Sequence, residues 1–307
     1  MRTYWSTRIV FERALAVVYL IAFLDAVNEF IPLLGARGLL PVSRFVRQVP
    51  FVQSPSLFFL SSSDTAFRIA AWAGVALSCL VLTGIPSRFG ALTAGVVWGV
   101  MWLLYLSFVN VGQTFYAFGW ETLLLELGFL AMFLGGALTP PSTTMRLIFA
   151  WTLFRLMFGA GLIKLRGDPC WRDLTCLNVY FETQPIPNPL SWYFHWMPAG
   201  VHRAGVVFNH FAELVVPWFY FGPQPFASIA AIVTIVFQGV LIASGNLSWL
   251  NWLTVVLCLP LLDDRWWAWL HLAAPASTVA ANQAYDVMTA VLAVLVALLS
   301  IGPVMNM

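Results

Sequence analysis

Apolar stretches broken by short polar segments repeat along the whole chain. Nine of them read as helical spans, at 9–34, 65–83, 89–109, 119–138, 145–165, 203–221, 226–243, 247–262 and 286–303. Runs of about 18 or more mostly apolar residues are the mark of bilayer-crossing helices. Hydrocarbon offers backbone N–H and C=O groups no partner, so only helices or a closed barrel can cross. Barrel strands alternate apolar and polar positions, whereas these runs are continuous. The pattern therefore predicts an all-α polytopic transmembrane helix bundle of about nine spans forming a single domain over residues 1–307.

Two polar intervals are longer than the rest, at 35–63 and 165–202. In the first, Val42, Phe45, Val46 and Val49 fall on one helical face, with Arg44, Arg47 and Gln48 opposite. That spacing predicts a short helix lying in the membrane interface and stopped by Pro50. The next span opens on a Ser63 or Asp64 cap. The second interval carries the chain's only lysine, Lys164, at its edge, and the run Pro185-x-Pro187-x-Pro189 predicts extended backbone. Trp192, Tyr193 and Trp196 follow, residues typical of a membrane–water boundary.

Composition agrees with the pattern. The chain is 61% hydrophobic and 9% charged, with a mean hydropathy of +0.84, against about 25% charged in soluble domains. A net charge of +2 without a basic cluster gives no footing for a nucleic-acid partner. The surroundings it fits are membrane lipid.

Polar residues inside the apolar runs are the candidates for chemistry, because a charge in hydrocarbon needs a partner. Asp25 and Glu29 share a face near the end of the first span, as an interfacial helix end or a pocket wall. Glu121 and Glu126 are five apart and cannot share one. Arg155 lies mid-span and calls for a carboxylate such as Glu126 or Glu213. Asn209, His210 and Glu213 project together, and Pro217 predicts a kink just beyond. Asn246 and Asn251 complete the polar set within the bundle. Around the long loop lie Arg166, Asp168, Trp171, Arg172, Asp173, Glu182, Gln184 and Asn188, a surface fit for a partner. Two readings of the helical set stand: a polar staple between helices, or a site where His210, Glu213, Arg155 and Lys164 act on a lipid-soluble substrate, with Glu213 orienting His210 as a base.

No phosphate loop, dinucleotide fingerprint or H-E-x-x-H motif occurs, and His195, His202, His210 and His271 lack metal-ligand spacing. Neither a metal nor a cofactor is expected. Cys79 and Cys258 lie within apolar runs, while Cys170 and Cys176, six apart, form a local disulfide or stay as two thiols. With the amino terminus cytoplasmic, Arg2, Arg8, Arg88, Arg146 and Arg265 fall in short inner segments. Both long loops then face away from the cytoplasm, where a disulfide survives.

The run Gly161-Leu-Ile-Lys164-Leu-Arg-Gly-Asp-Pro-Cys170-Trp-Arg-Asp-Leu-Thr-Cys176, with Phe181-Glu-Thr-Gln-Pro-Ile-Pro-Asn-Pro189, closely resembles the signature of the lipase maturation factor family. Trp120-Glu121-Thr-Leu-Leu-Leu-Glu126, Phe208-Asn-His-Phe-Ala-Glu213-Leu-Val-Val-Pro217 and Ser244-Gly-Asn246 with Asn251 agree with it, over roughly residues 10–265. The resemblance implies a membrane protein that assists folding of secreted lipases, in the endoplasmic reticulum membrane of animals or the plasma membrane of a bacterium. Its partner would be an exported client such as a lipase. Relatives continue into a soluble carboxy-terminal domain, which is absent from this chain ending at Met307. A distant likeness to the membrane part of vitamin K-dependent carboxylases supports the enzyme alternative, and a subunit of a larger membrane complex is the third.

Overall fold

The structure, a computed structural model, describes residues 3–184, 186, 188–272 and 283–305. Arg2, Pro185 and Pro187, on which part of the orientation and the extended proline run rest, lie outside the described residues. Every element among the described residues is helical. In chain order the α-helices are α1 (Trp5–Leu34), α2 (Val42–Gln48), α3 (Asp64–Leu82), α4 (Ile85–Arg88), α5 (Ala91–Val111), α6 (Gly119–Ala131) and α7 (Thr143–Arg166). They continue as α8 (Pro169–Arg172), α9 (Leu177–Tyr180), α10 (Ser191–His195), α11 (Ala199–His210), α12 (Phe226–Ser244), α13 (Leu250–Cys258) and α14 (Gln283–Met305).

Six of these, α1, α3, α5, α7, α12 and α14, are long and apolar enough to cross a membrane, so the chain is an integral membrane protein. The other three apolar segments do not form one uninterrupted α-helix of that length. Segment 119–138 yields the 13 residues of α6, about 20 Å of helix at 1.5 Å per residue, and then turns through Gly135, whose φ of +82° suits glycine. Segment 203–221 passes from α11 into a π-turn at Phe211–Val215 and a 3-10 turn at Val216–Phe221. Pro217 explains the change, since it has no N–H and its ring meets the carbonyl four residues back, that of Glu213. Segment 247–262 holds the nine residues of α13 and a 3-10 turn containing Pro260.

The chain divides into two compact units. The first comprises residues 8–141. Its core is an aromatic column on α1, in which Phe23 meets Tyr105 at 5.5 Å and Phe30 meets Phe108 at 4.8 Å and Phe67 at 5.0 Å. Edge-to-face contacts of this kind add to the burial of large rings. Glu12, buried on α1, accepts hydrogen bonds from Ser87 Oγ at 2.8 and 3.0 Å. The short helix expected in the first long interval appears as α2, ending before Pro50, and Ser63 caps α3 by accepting from the Ala66 N–H at 3.2 Å.

The second unit comprises residues 3–7, 142–272 and 283–305. Its frame is α7, against which α13, α14 and the turns Phe211–Val215, Val216–Phe221 and Leu259–Leu261 pack, while α12 packs on α13 and on the turn Val216–Phe221. Asp264 accepts from the N–H groups of Trp5 at 2.9 Å and Thr7 at 3.0 Å. Those donors belong to the first turn of a helix and have no partner within it. A carboxylate from the far end of the chain caps them.

Candidate functional site

At the end of α7, Lys164 Nζ donates to Asn209 Oδ1 at 2.9 Å and forms an ion pair with Glu213 Oε1. Asn209 Nδ2 donates to the other oxygen of Glu213 at 2.9 Å, closing a three-residue ring of hydrogen bonds. Glu213 is 4% exposed and Lys164 22% exposed, so the pair is shielded at the acid and open toward solvent at the amine. The π-turn places Glu213 here: it begins directly after His210 and carries Glu213 at its centre. Single π-turns inside helices recur at functional positions.

The loop covers this cluster. Cys170 and Cys176 are joined by a disulfide, with Cα atoms 4.7 Å apart. Between them Trp171 lies with its ring 5.1 Å from Lys164 Nζ, a cation–π contact. Its carbonyl accepts from His210 Nε2 at 3.0 Å. A carbonyl only accepts, so the proton is on Nε2 and Nδ1 of neutral His210 is left as an acceptor. That Nδ1 is buried without a hydrogen-bond partner. Tyr180, on α9, stands 6.3 Å from the Trp171 ring. Its hydroxyl pKa is raised from the usual 10, chiefly by burial and further by the negative charge of Glu213.

Farther along, the loop is tied to the end of α12. Asn188 Nδ2 donates to the carbonyls of Ile242 at 3.1 Å and Gly245 at 2.7 Å, and Ser191 Oγ to that of Ser244 at 2.8 Å. Gln184 donates to Ser244 O at 3.4 Å and accepts from the Asn246 N–H at 3.1 Å. The last carbonyls of a helix lack partners of their own, so these side chains cap α12 and fix the loop together. His202, buried on α11, bridges Asn178 Oδ1 and the Phe194 carbonyl, each at 2.9 Å, and links α9, α10 and α11.

The sequence candidates thus fall into groups. Lys164, Asn209, His210, Glu213, Trp171, Cys170 and Cys176 come together; Gln184, Asn188 and Asn246 form the α12 cap. Glu213 contacts Lys164 and Asn209, while His210 turns to Trp171. Asp168 caps α8 by accepting from the Cys170 N–H at 2.9 Å. Arg166, Arg172, Asp173 and Glu182 are exposed, with Glu182 Oε2 3.7 Å from His195 Nε2. Arg155 lies half-buried within α7, Glu126 half-buried on α6, and Asn251 buried on α13. Glu121 is buried and bonded to the Tyr105 hydroxyl. Tyr180, Tyr105 and the Asn178–His202 bridge carry no short-range spacing that would mark them in the sequence.

While the disulfide is intact, neither thiol is available as a metal-binding thiolate, although Asp168 stands beside them. Closing so short a loop stabilises by about 2 kcal/mol in the chain-entropy picture. Cys170→Ser and Cys176→Ser are therefore expected to speed tryptic cleavage at the exposed Arg166 and Arg172 to the same extent. Wild-type protein under reductant should match them. Unequal rates would show that one cysteine acts alone.

A family model described as the lipase maturation factor transmembrane domain matches residues 6–269. Lipase maturation factor 1 of Bos taurus is 45% identical over 278 residues, covering 85% of this chain and 50% of that protein. Its Homo sapiens counterpart is 44% identical over 291 residues, covering 90% and 51%. Lipase maturation factor 2 of Homo sapiens is 32% identical over 297 residues, covering 87% and 40%. The chain spans about half the length of the lipase maturation factor 1 relatives it matches. No solved structure matches it. With a transmembrane-domain match running from the first turn of α1 to residue 269, the chain belongs to the lipase maturation factor family.

Proposed function

We propose that this chain is the membrane-embedded part of a folding factor for exported proteins such as lipases, with the bridged loop over Lys164 as its partner-facing surface. The observation that carries the reading is the 45% identity to lipase maturation factor 1 across 85% of the chain. We place the amino terminus in the cytoplasm and the 165–202 loop on the other side of the endoplasmic reticulum or bacterial plasma membrane. A disulfide between Cys170 and Cys176 persists only in an oxidising compartment. From a cytoplasmic start, α1, α3 and α5 put residue 112 outside. The loop after α7 is outside only if segment 119–138 also crosses, with α6 as its helical part. In the nine-span arrangement segments 203–221 and 247–262 cross likewise as broken helices, tolerated where protein rather than lipid surrounds the break.

A chimera tests the function. This chain replaces the matching half of Bos taurus lipase maturation factor 1 in cells lacking their own copy, and the specific activity of secreted lipase is measured. Restored activity is expected; a chimera that inserts and accumulates normally yet leaves the lipase inactive would overturn the reading. One observation favours chemistry on a lipid-soluble molecule instead, the unpartnered buried Nδ1 of His210. In the same assay His210→Gln decides between them: lost maturation with an unchanged melting temperature points to chemistry, unchanged maturation to a folding surface alone.

A further inference from the structure

One face of α10 is packed and the other is bare. Trp192, Tyr193 and Trp196 are 64%, 63% and 69% exposed. Positions three and four apart share a helical face, so the three rings form one surface. The Trp192 ring lies 5.3 Å from that of Tyr193 and 6.3 Å from that of Trp196. The opposite face holds the helix to its unit: Ser191 is buried, the Phe194 ring stands 5.7 Å from that of Phe181, and the Phe194 carbonyl faces His202 Nε2.

The depth of the bare face in a membrane follows from what α10 is tied to. Ser191 Oγ, on its first residue, donates to the carbonyl of Ser244, the last residue of α12. α12 has 19 residues and is apolar enough to cross a bilayer. At 1.5 Å per residue it is about 28 Å long, against about 30 Å of hydrocarbon. A span so closely matched ends at the edge of the hydrocarbon, and α10 lies there with it. Tryptophan and tyrosine, each an apolar ring with a polar tip, concentrate at that level. The chain that follows exposes Arg203 and then Val207, Phe211 and Val215 at four-residue spacing, a cation followed by an apolar stripe. A docking face for a soluble polypeptide carries a polar rim. Here the flanks are the exposed Leu190, Met197 and Val201, and no Lys, Arg, Asp or Glu occurs from residue 190 to 201.

We propose that α10 is a foot that inserts Trp192, Tyr193 and Trp196 into the leaflet at the end of α12 and holds the bridged loop down on the lipid surface. Its partner is the phospholipid headgroup layer and the acyl carbons just beneath it. The foot does not depend on the folding-factor reading.

Nitroxide labels on Tyr193→Cys, Trp196→Cys and Val207→Cys test it, in the full chain in phosphatidylcholine nanodiscs. A Cys79→Ala background leaves only the buried Cys258 and the bonded Cys170 and Cys176. Electron paramagnetic resonance saturation reads each label's collisions with oxygen, which partitions into lipid, and with a water-soluble nickel chelate. Labels at 193 and 196 are expected to lose most of the nickel accessibility of the same nitroxide on a soluble peptide, and the label at 207 still more. All three should keep high oxygen accessibility, which a label covered by protein would lose. The replaced side chains are exposed, so the variants should keep the wild-type melting temperature. Labels at 193 and 196 as open to nickel as the peptide would overturn the proposal. Protection that arises only when denatured lipase is added would also overturn it, and would assign the face to an exported client instead.

Discussion

Glu213→Leu is expected to destabilise the protein by about 3 kcal/mol, the range for removing one member of a buried ion pair. The cost comes from what is left behind. Lys164 would keep its charge with only Asn209 and the Trp171 face as partners. Its 22% exposure admits some water, which keeps the figure at the low end. Lys164→Met leaves the more deeply buried carboxylate of Glu213 unneutralised and should cost at least as much. The double variant Lys164→Met, Glu213→Leu is expected to recover most of the loss, because well-packed apolar pairs often replace buried ion pairs with little penalty. Melting temperatures of the three variants in one detergent supply the cycle. Additive losses would show that the two charges do not stabilise one another.

The same cluster shows what can be read from sequence. Asn209, His210 and Glu213 could be grouped from helical spacing, because positions three and four apart share a face. The spacing holds for Asn209 and Glu213, which are bonded across the π-turn and both reach Lys164, whereas His210 turns away from Glu213 to Trp171. Lys164 and Glu213 are 49 positions apart, and no local pattern announces that pairing. Trp171 is legible as part of a Cys-bounded loop, yet its place over Lys164 depends on the disulfide and on α8.

The broken spans show the same limit of local pattern. Hydropathy responds to apolar content and is blind to hydrogen-bond pattern, so segments 203–221 and 247–262 read as uniform helices. Their prolines, Pro217 and Pro260, convert the second part of each to 3-10 geometry. Segment 119–138 ends as a helix at Ala131, well before its apolar residues run out. Where a polar signal reinforces the pattern the reading holds: Ser63 caps α3, and the Val42, Phe45, Val46 face forms α2. Helix starts fixed by side-chain caps are local events, and local events are what a sequence displays.

Gly128→Ala is expected to cost about 3 kcal/mol, although alanine is the better helix former by roughly 1 kcal/mol. A methyl group at position 128 of α6 would lie 1.8 Å from the Tyr19 hydroxyl oxygen and 2.7 Å from the ring carbon that bears it. Tyr19 is fully buried on α1, wedged against Trp98 and Tyr105 at 5.7 Å each, and has no room to withdraw. Its hydroxyl donates to the Leu124 carbonyl at 3.0 Å, a bond the added methyl would break. Overpacking of this kind costs about 1–3 kcal/mol, and the orphaned buried hydroxyl adds about 1–3 more. Tyr19→Phe alone forfeits the hydrogen bond, about 1 kcal/mol, and removes the nearest of the atoms the methyl would meet. Combined with Gly128→Ala it should give a loss smaller than the sum by at least about 1 kcal/mol, since residues in contact couple. The rescue stays partial because the ring carbon still lies under 3 Å away. Urea or thermal denaturation of the four proteins in one detergent measures the coupling, and simple additivity would place the reason for this glycine somewhere other than Tyr19.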